Sequence, residues 1–234
     1  MIKKVFDSAD SAADALARFI INEISFTSGY FNMALSGGST PARLFRVLAE
    51  NYETEIDWKR VRLFWVDERC VPPDHKESNF RMTKETLLEK VNIQKANIFR
   101  IKGEDDPAGE AKRYEELIRS QVPFLGNLPS FDLVLLGMGE DGHTASIFPD
   151  QIRLMRSEKI CHGALHPQSG QKRITLTGPV INNGKTVVFF LTGIGKREML
   201  KNVLQRDNRF PASYINPAGG NLYFFLDTEA NPED

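Results

Sequence analysis

The chain has 234 residues and a nearly balanced charge, with 30 Lys and Arg against 31 Asp and Glu. That balance argues against a nucleic-acid-binding protein, which presents a strongly basic surface. Two cysteines cannot build a disulfide framework, and no apolar run approaches the ~20 residues of a membrane span. The N-terminus does not resemble a secretory leader. We therefore expect a cytoplasmic protein that folds as one domain over residues 1–234.

Helix-like and strand-like patterns alternate along the first half of the chain. Leu16, Ile20 and Ile24 stand at helical spacing and predict a helix over residues 10–24. The same criteria predict helices at 41–50, 79–91 and 107–120, and strands at Phe31–Leu35, 61–66 and 98–101.

The second half continues the alternation. Residues 131–136 form a nearly continuous apolar run, which is typical of a central strand covered on both faces. Further strands are predicted at 160–165, 174–177, 186–191 and 222–226, with a helix at 196–204. The pattern predicts an α/β fold with a mostly parallel sheet and helices on both faces. Ligands of such sheets bind beyond the carboxyl ends of the strands, so residues that follow strands are the functional candidates.

The first candidate is the loop Ser-Gly-Gly-Ser-Thr-Pro that follows strand Phe31–Leu35. Gly37 and Gly38 let the backbone approach a ligand closely. Ser39 or Thr40 can cap the following helix, whose free amides and dipole attract an anion. The loop is not a Walker motif. The two interpretations are an anion site and a well-capped tight turn.

The second candidate is Asp67-Glu68-Arg69, which follows the predicted strand 61–66. Arg69 could clamp a phosphate through two hydrogen bonds, and Asp67 could act as a base or orient a hydroxyl. On spacing alone, a surface salt-bridge cluster is the favoured interpretation.

The third candidate is the loop that follows residues 131–136, where Gly137, Gly139 and Gly142 spell the dinucleotide fingerprint G-x-G-x-x-G. A true fingerprint opens a long helix, whereas Pro149 arrives seven residues after Gly142. Asp141 and His143 instead put a carboxylate and an imidazole on one turn, a combination suited to general base catalysis. The alternative is a histidine that only fills a turn.

Two cations and one cluster complete the candidates. Lys196 lies at a predicted helix start, where the dipole disfavours a cation unless an anion accompanies it, and Arg173 opens a strand. For both, the alternative is ordinary surface charge.

Cys161, His162 and His166 are possible metal ligands, but no second soft-ligand pair exists to complete a tetrahedral site. The nucleophile elbow G-x-S-x-G is absent, which disfavours acyl-enzyme catalysis.

Taken together, these motifs resemble the glucosamine-6-phosphate isomerase/6-phosphogluconolactonase family. The matching segments are SGGSTP, VDER followed by SN, LGMGEDGHTASIFP, RITLT and TGIGK, in that order between residues 36 and 196. The resemblance implies a modified Rossmann-like sheet. It also implies hydrolysis of 6-phospho-D-glucono-1,5-lactone in the pentose phosphate pathway, without a metal or organic cofactor. The implied partner is this small-molecule substrate alone, for a chain that is a monomer or homodimer.

The resemblance also implies roles for individual residues. His143 would activate water, while Asp67 and Asp141 would orient the histidine, the water or sugar hydroxyls. The phosphate would be held by Gly37, Gly38, Ser39, Thr40, Arg69 and Lys196, with Arg173 as a helper.

Two other functions are compatible with the same fold. The deaminase branch of the family continues its motif as D-G-H-x-A-F-N-E-P, in which the glutamate helps to open the sugar ring. In this chain, Phe148 stands at the position of that glutamate. Because a phenyl ring cannot transfer a proton, Phe148 favours the lactonase. A non-catalytic sugar-phosphate sensor is the third possibility, although such regulators carry a DNA-binding module for which we see no room before the first strand.

Overall fold

A computed structural model describes residues 1–232. Its centre is a seven-stranded sheet in the order β1-β12-β11-β8-β2-β3-β5, and every neighbouring pair in it is parallel. These strands are β1 Ile2–Phe6, β2 Phe31–Leu35, β3 Val61–Trp65, β5 Ile98–Phe99, β8 Leu133–Leu136, β11 Thr186–Leu191 and β12 Leu222–Asp227. All residues of β2, β8 and β11 are buried, so both faces of the sheet are covered. The predicted fold class is confirmed.

Six α-helices accompany the sheet within residues 1–232. They are α1 Ala9–Phe26, α2 Ser39–Asn51, α3 Asn79–Thr83, α4 Pro107–Gln121, α5 Gly178–Asn182 and α6 Arg197–Leu204. Ser8 caps α1 and Asp106 caps α4 through side-chain oxygens. The predicted helix at 79–91 is shorter than expected, because α3 passes into a π-helical turn at Lys84–Leu88. None of these helices is long and apolar enough to cross a membrane.

A second sheet of three antiparallel strands lies outside the main one. It consists of β4 Asp67–Arg69, β10 Lys172–Leu176 and β9 Cys161–Leu165. The apolar runs at 160–165 and 174–177 correctly predicted strands. They did not predict that these strands lie outside the parallel sheet. Their short connection explains the arrangement, since antiparallel neighbours need no helical crossover. A small hairpin pairs β6 Phe124–Leu125 with β7 Leu128–Pro129.

The topology of the main sheet places the functional candidates together. Chain order runs outward from β2 to β3 on one side, and from β8 through β11 to β12 on the other. The reversal point therefore lies between β2 and β8, which are direct neighbours. Ligands of open α/β sheets bind at such a reversal, beyond the strand ends. The loops after β2, β3, β8 and β11 all open at this position.

Candidate active site

A cleft of about 270 Å³ opens at the carboxyl ends of these four strands. Nine of the ten residues predicted for the site line it: Gly37, Gly38, Ser39, Thr40, Asp67, Arg69, His143, Arg173 and Lys196. Asp141 is the exception, and it reaches the cleft only through its contact with His143. The cleft thus combines one imidazole, one carboxylate and three cations.

The glycine loop after β2 leads into α2 without a side-chain cap. The cap residue is Gly38, with φ of +108°. The prediction that Ser39 or Thr40 caps the helix was therefore wrong. Ser39 is already the first helical residue, because only glycine readily takes the left-handed backbone that places the helix start there. The first amides of this 13-residue helix therefore face the cleft without a protein partner from a cap. This is the arrangement that attracts a phosphate group.

Gly37 shows how closely this loop is packed against its neighbour. A Cβ atom at this position would lie 1.8 Å from Oδ1 of Asn79. Sequence reasoning missed Asn79, which lines the cleft at the start of α3. The available signal was the Ser-Asn pair that follows the charged cluster.

His143 is held by the carboxylate two residues before it. Nδ1 of His143 lies 2.6 Å from Oδ1 of Asp141, which also accepts a hydrogen bond from the His143 amide. Partial burial works against ionisation of Asp141, but the hydrogen bond and charge of His143 outweigh it and lower the pKa of this carboxyl. The carboxylate therefore stays an acceptor for Nδ1–H, which leaves Nε2 as the free ring nitrogen.

Two further contacts fix the plane of the imidazole. A Cβ atom on Gly139 would lie 2.2 Å from Nδ1 of His143, so a side chain at this position would displace the imidazole. The ring of Phe148 packs against His143 with centroids 4.8 Å apart. Phe148 is buried, and its ring also meets His166 edge-on. The residue that distinguishes this chain from the deaminase pattern is therefore a wall of the histidine site.

The charged cluster after β3 is not a surface salt-bridge network, and that interpretation was wrong. Asp67 and Glu68 are 6% and 2% exposed, because the cluster forms strand β4, which pairs with β10, rather than an open loop. Glu68 accepts hydrogen bonds from the amides of Arg69, Asn79 and Phe80. Burial raises the pKa of Glu68, and these three amides oppose the rise. Glu68 thus anchors the start of α3.

Replacing Glu68 with glutamine should destabilise the fold. Each carboxylate oxygen of Glu68 accepts two hydrogen bonds, one of them on Oε2 from the Ser78 hydroxyl. A glutamine amide would turn an NH₂ group toward two donors. We expect the free energy of unfolding in urea to fall by about 1–3 kcal/mol.

Glu85→Gln is the matched control for that change. It removes only an exposed ion pair with Arg81, so the free energy of unfolding should change by less than about 1 kcal/mol. Equal losses in the Glu68 and Glu85 variants would contradict the anchoring role of Glu68.

Two arginines of the cleft lie side by side. Arg69 on β4 and Arg173 on β10 are register partners in the antiparallel pair, and like charges directly opposite one another are destabilising. Burial lowers the pKa of Arg173, and the charge of Arg69 lowers it further. Nε of each guanidinium is buried without a hydrogen-bond partner in the described residues. An anion in the cleft would offset both costs.

Lys196 is the third cation of the cleft and follows strand β11. It is the cap residue of α6 and ends a short 3₁₀ turn, Ile194–Lys196. Within residues 1–232, its ammonium group has no ion pair or hydrogen bond. A cation without a partner is unfavourable at a helix start, so an anion bound beside Lys196 would stabilise it.

The possible metal ligands on and just after β9 do not converge. Cys161 is buried, whereas His162 is only partly buried and contacts the Gly163 carbonyl through Nδ1. Nδ1 of His166 receives a hydrogen bond from the Ser169 amide. Within the described part of the chain, no group of three or more His, Cys, Asp or Glu side chains could hold a metal ion.

Comparison with known proteins places the chain in a family. Residues 7–224 match the family model described as glucosamine-6-phosphate isomerases/6-phosphogluconolactonase. The protein belongs to this family. A 6-phosphogluconolactonase of Treponema pallidum is 43% identical over 203 residues, which are 87% of this chain and 84% of the relative. The predicted family is confirmed.

Solved structures agree with the sequence relatives. A 6-phosphogluconolactonase from Trypanosoma brucei superposes with a TM-score of 0.88 at 28% identity, covering 98% of this chain and 97% of that one. A monomeric glucosamine-6-phosphate deaminase superposes almost as well, with a TM-score of 0.84 and 98% of each chain covered, but at 21% identity. That second likeness shows the shared fold alone.

Proposed function

We propose that the protein hydrolyses 6-phospho-D-glucono-1,5-lactone to 6-phospho-D-gluconate, with His143 as the general base that activates water. The observation that carries this proposal is an imidazole hydrogen-bonded through Nδ1 to the Asp141 carboxylate. The same cleft holds three cations that have no carboxylate partner within residues 1–232. The relatives of this chain in Treponema pallidum and Trypanosoma brucei, which are named 6-phosphogluconolactonases, support the choice of substrate.

The reaction needs one base that later serves as an acid. Nε2 of His143 takes a proton from water as the oxygen attacks C1 of the lactone. The bond between C1 and the ring oxygen then breaks, and the imidazolium returns its proton to that oxygen. Asp141 keeps the proton on Nδ1 and stabilises the transient positive charge of the ring. The product is an open-chain carboxylic acid, which ionises at neutral pH.

The cations and the helix start fix the substrate at its phosphate end. The amides of Ser39 and Thr40 lie at the start of α2, and Lys196, Arg69 and Arg173 supply positive charge around the cleft. Binding energy from the phosphate, which does not react, holds C1 against His143. Amides of the glycine loops are candidates to stabilise the oxyanion.

Phe148 is the reason to prefer this activity to deamination. The deaminase pattern has a glutamate at this position, whereas here a buried phenyl ring packs against His143. A phenyl ring offers no proton for opening an amino-sugar ring.

An assay of the purified protein against two substrates tests the proposal. We expect rapid hydrolysis of freshly prepared 6-phosphogluconolactone, above the spontaneous rate, and no release of ammonia from glucosamine 6-phosphate. Ammonia release would identify a deaminase. Binding of 6-phosphogluconate without turnover of either substrate would identify a sensor.

A further inference from the structure

Ser146 is a buried residue whose position the proposed reaction does not yet use. It lies three residues after His143 and is 1% exposed, and it does not line the cleft. Its hydroxyl donates to Oδ2 of Asp67 over 2.6 Å, across 79 positions of sequence. Its amide donates to Oγ1 of Thr175 on β10. Ser146 therefore joins the histidine loop to the small antiparallel sheet.

The hydrogen bond occupies one side of the Asp67 carboxylate. Nδ2 of Asn79 approaches the other oxygen, Oδ1, at 3.4 Å and donates to the Asp67 main-chain oxygen at 3.0 Å. Asp67 lines the cleft, although it is only 6% exposed. A buried carboxylate needs hydrogen-bond donors around it. Oδ2 is committed to Ser146, whereas Oδ1 has only the long contact from Asn79 and can accept a further hydrogen bond from a ligand.

The backbone beside Ser146 is also constrained. Ala145 has φ of +50°, a left-handed conformation that is uncommon for a residue with a side chain. It is part of a tight turn closed by the hydrogen bond from the Ile147 amide to the Thr144 carbonyl. Strain of this kind persists where surrounding contacts enforce it. Here the turn presents the Ser146 hydroxyl to Asp67.

We propose that Ser146 is a positioning residue, which holds Asp67 so that its Oδ1 accepts a hydroxyl of the bound sugar and which sets the distance between His143 and β4. The same strand carries Arg69, so the hydrogen bond links the base to the phosphate contacts. This inference rests on the proposed lactonase function.

A double-mutant cycle tests the inference. Ser146→Ala should lower kcat/KM for 6-phosphogluconolactone by about 10- to 100-fold, as expected when a substrate contact loses its alignment. Asp67→Asn should lower it at least as much. In the Asp67→Asn background, the serine change should have an effect of less than about 2-fold, because Ser146 acts through the carboxylate.

Ser130→Ala is the matched control. Ser130 is buried, and its hydroxyl donates to the Asn183 carbonyl over 2.7 Å, before β8 and away from the cleft. Both serine variants should lose similar thermal stability, but Ser130→Ala should keep the wild-type kcat/KM. The inference is overturned if Ser146→Ala matches this control in kcat/KM, or if the losses multiply in the double mutant. Wild-type turnover in the same assay reports separately on the proposed function.

Discussion

Replacing His143 with alanine should lower kcat by about 100- to 10,000-fold, the contribution of a positioned general base. The variant should change KM little, because the residues that we propose to bind the phosphate do not include His143. Its folding stability should also be nearly unchanged. The His143 and Asp141 side chains are 30% and 46% exposed, and a contact between polar side chains that reach solvent contributes little to stability. Steady-state kinetics and thermal unfolding of the same preparation measure all three quantities.

His162→Ala is the control for loss of a histidine. His162 is also partly buried, and its Nδ1 contacts a main-chain carbonyl, but it does not line the cleft. We expect wild-type kcat from this variant. Near-normal turnover by the His143 variant would rule out the assignment of the base, whatever the control shows.

Acid should weaken the pair of Asp141 and His143. The pKa of Asp141 is lowered in the folded protein, so its contribution to stability is present above the unfolded pKa of the carboxyl. That contribution is lost as the pH falls through the folded value. The small stability difference between wild type and the His143 variant should therefore be seen at neutral pH rather than in strong acid.

Replacing Lys196 with alanine should raise KM by about 10- to 100-fold, which corresponds to the loss of a hydrogen bond between charged groups. In the free enzyme the ammonium group has no partner within residues 1–232, so no internal ion pair is broken. We expect kcat to fall far less than KM rises, since the phosphate is remote from the reacting carbon.

Lys201→Ala separates this effect from a general loss of positive charge. Lys201 is exposed on α6, the helix that Lys196 caps, and it does not line the cleft. Its removal should leave KM unchanged at physiological ionic strength, where exposed charges are screened. If Lys196→Ala also leaves KM unchanged, the phosphate is held elsewhere in the cleft.

Phe148 illustrates how a single position can carry both packing and specificity. Its ring is buried between two histidines, so it helps to fix the plane of the imidazole that we propose as the base. In the deaminase pattern, a glutamate occupies the position that Phe148 has here. Since one fold can host different chemistries, we expect the side chains around His143 to decide which of them this protein performs.

Local patterns in the sequence determined the order of most elements and the position of most candidates. Apolar periodicity identified the central strands β2, β3, β8 and β11, because buried strands produce continuous apolar runs without reference to the rest of the chain. The residues that follow these strands were predicted as site residues because the carboxyl ends of parallel strands meet at one edge of the sheet. The N-terminal strand β1 was missed, because Lys3 and Lys4 interrupt its apolar pattern at the exposed edge.

Contacts between distant segments were decided only by the tertiary structure. Spacing could not show that β9 and β10 leave the main sheet, nor that β4 buries Asp67 and Glu68. The pairing of Arg69 with Arg173 and the bond from Ser146 to Asp67 each join residues far apart in the chain. Such pairs leave no periodic signal, because their proximity depends on how whole elements pack rather than on the residues between them. The sequence alone predicted His143 as the base and the three cations as phosphate ligands, whereas the packing determines how these residues are held around one cleft.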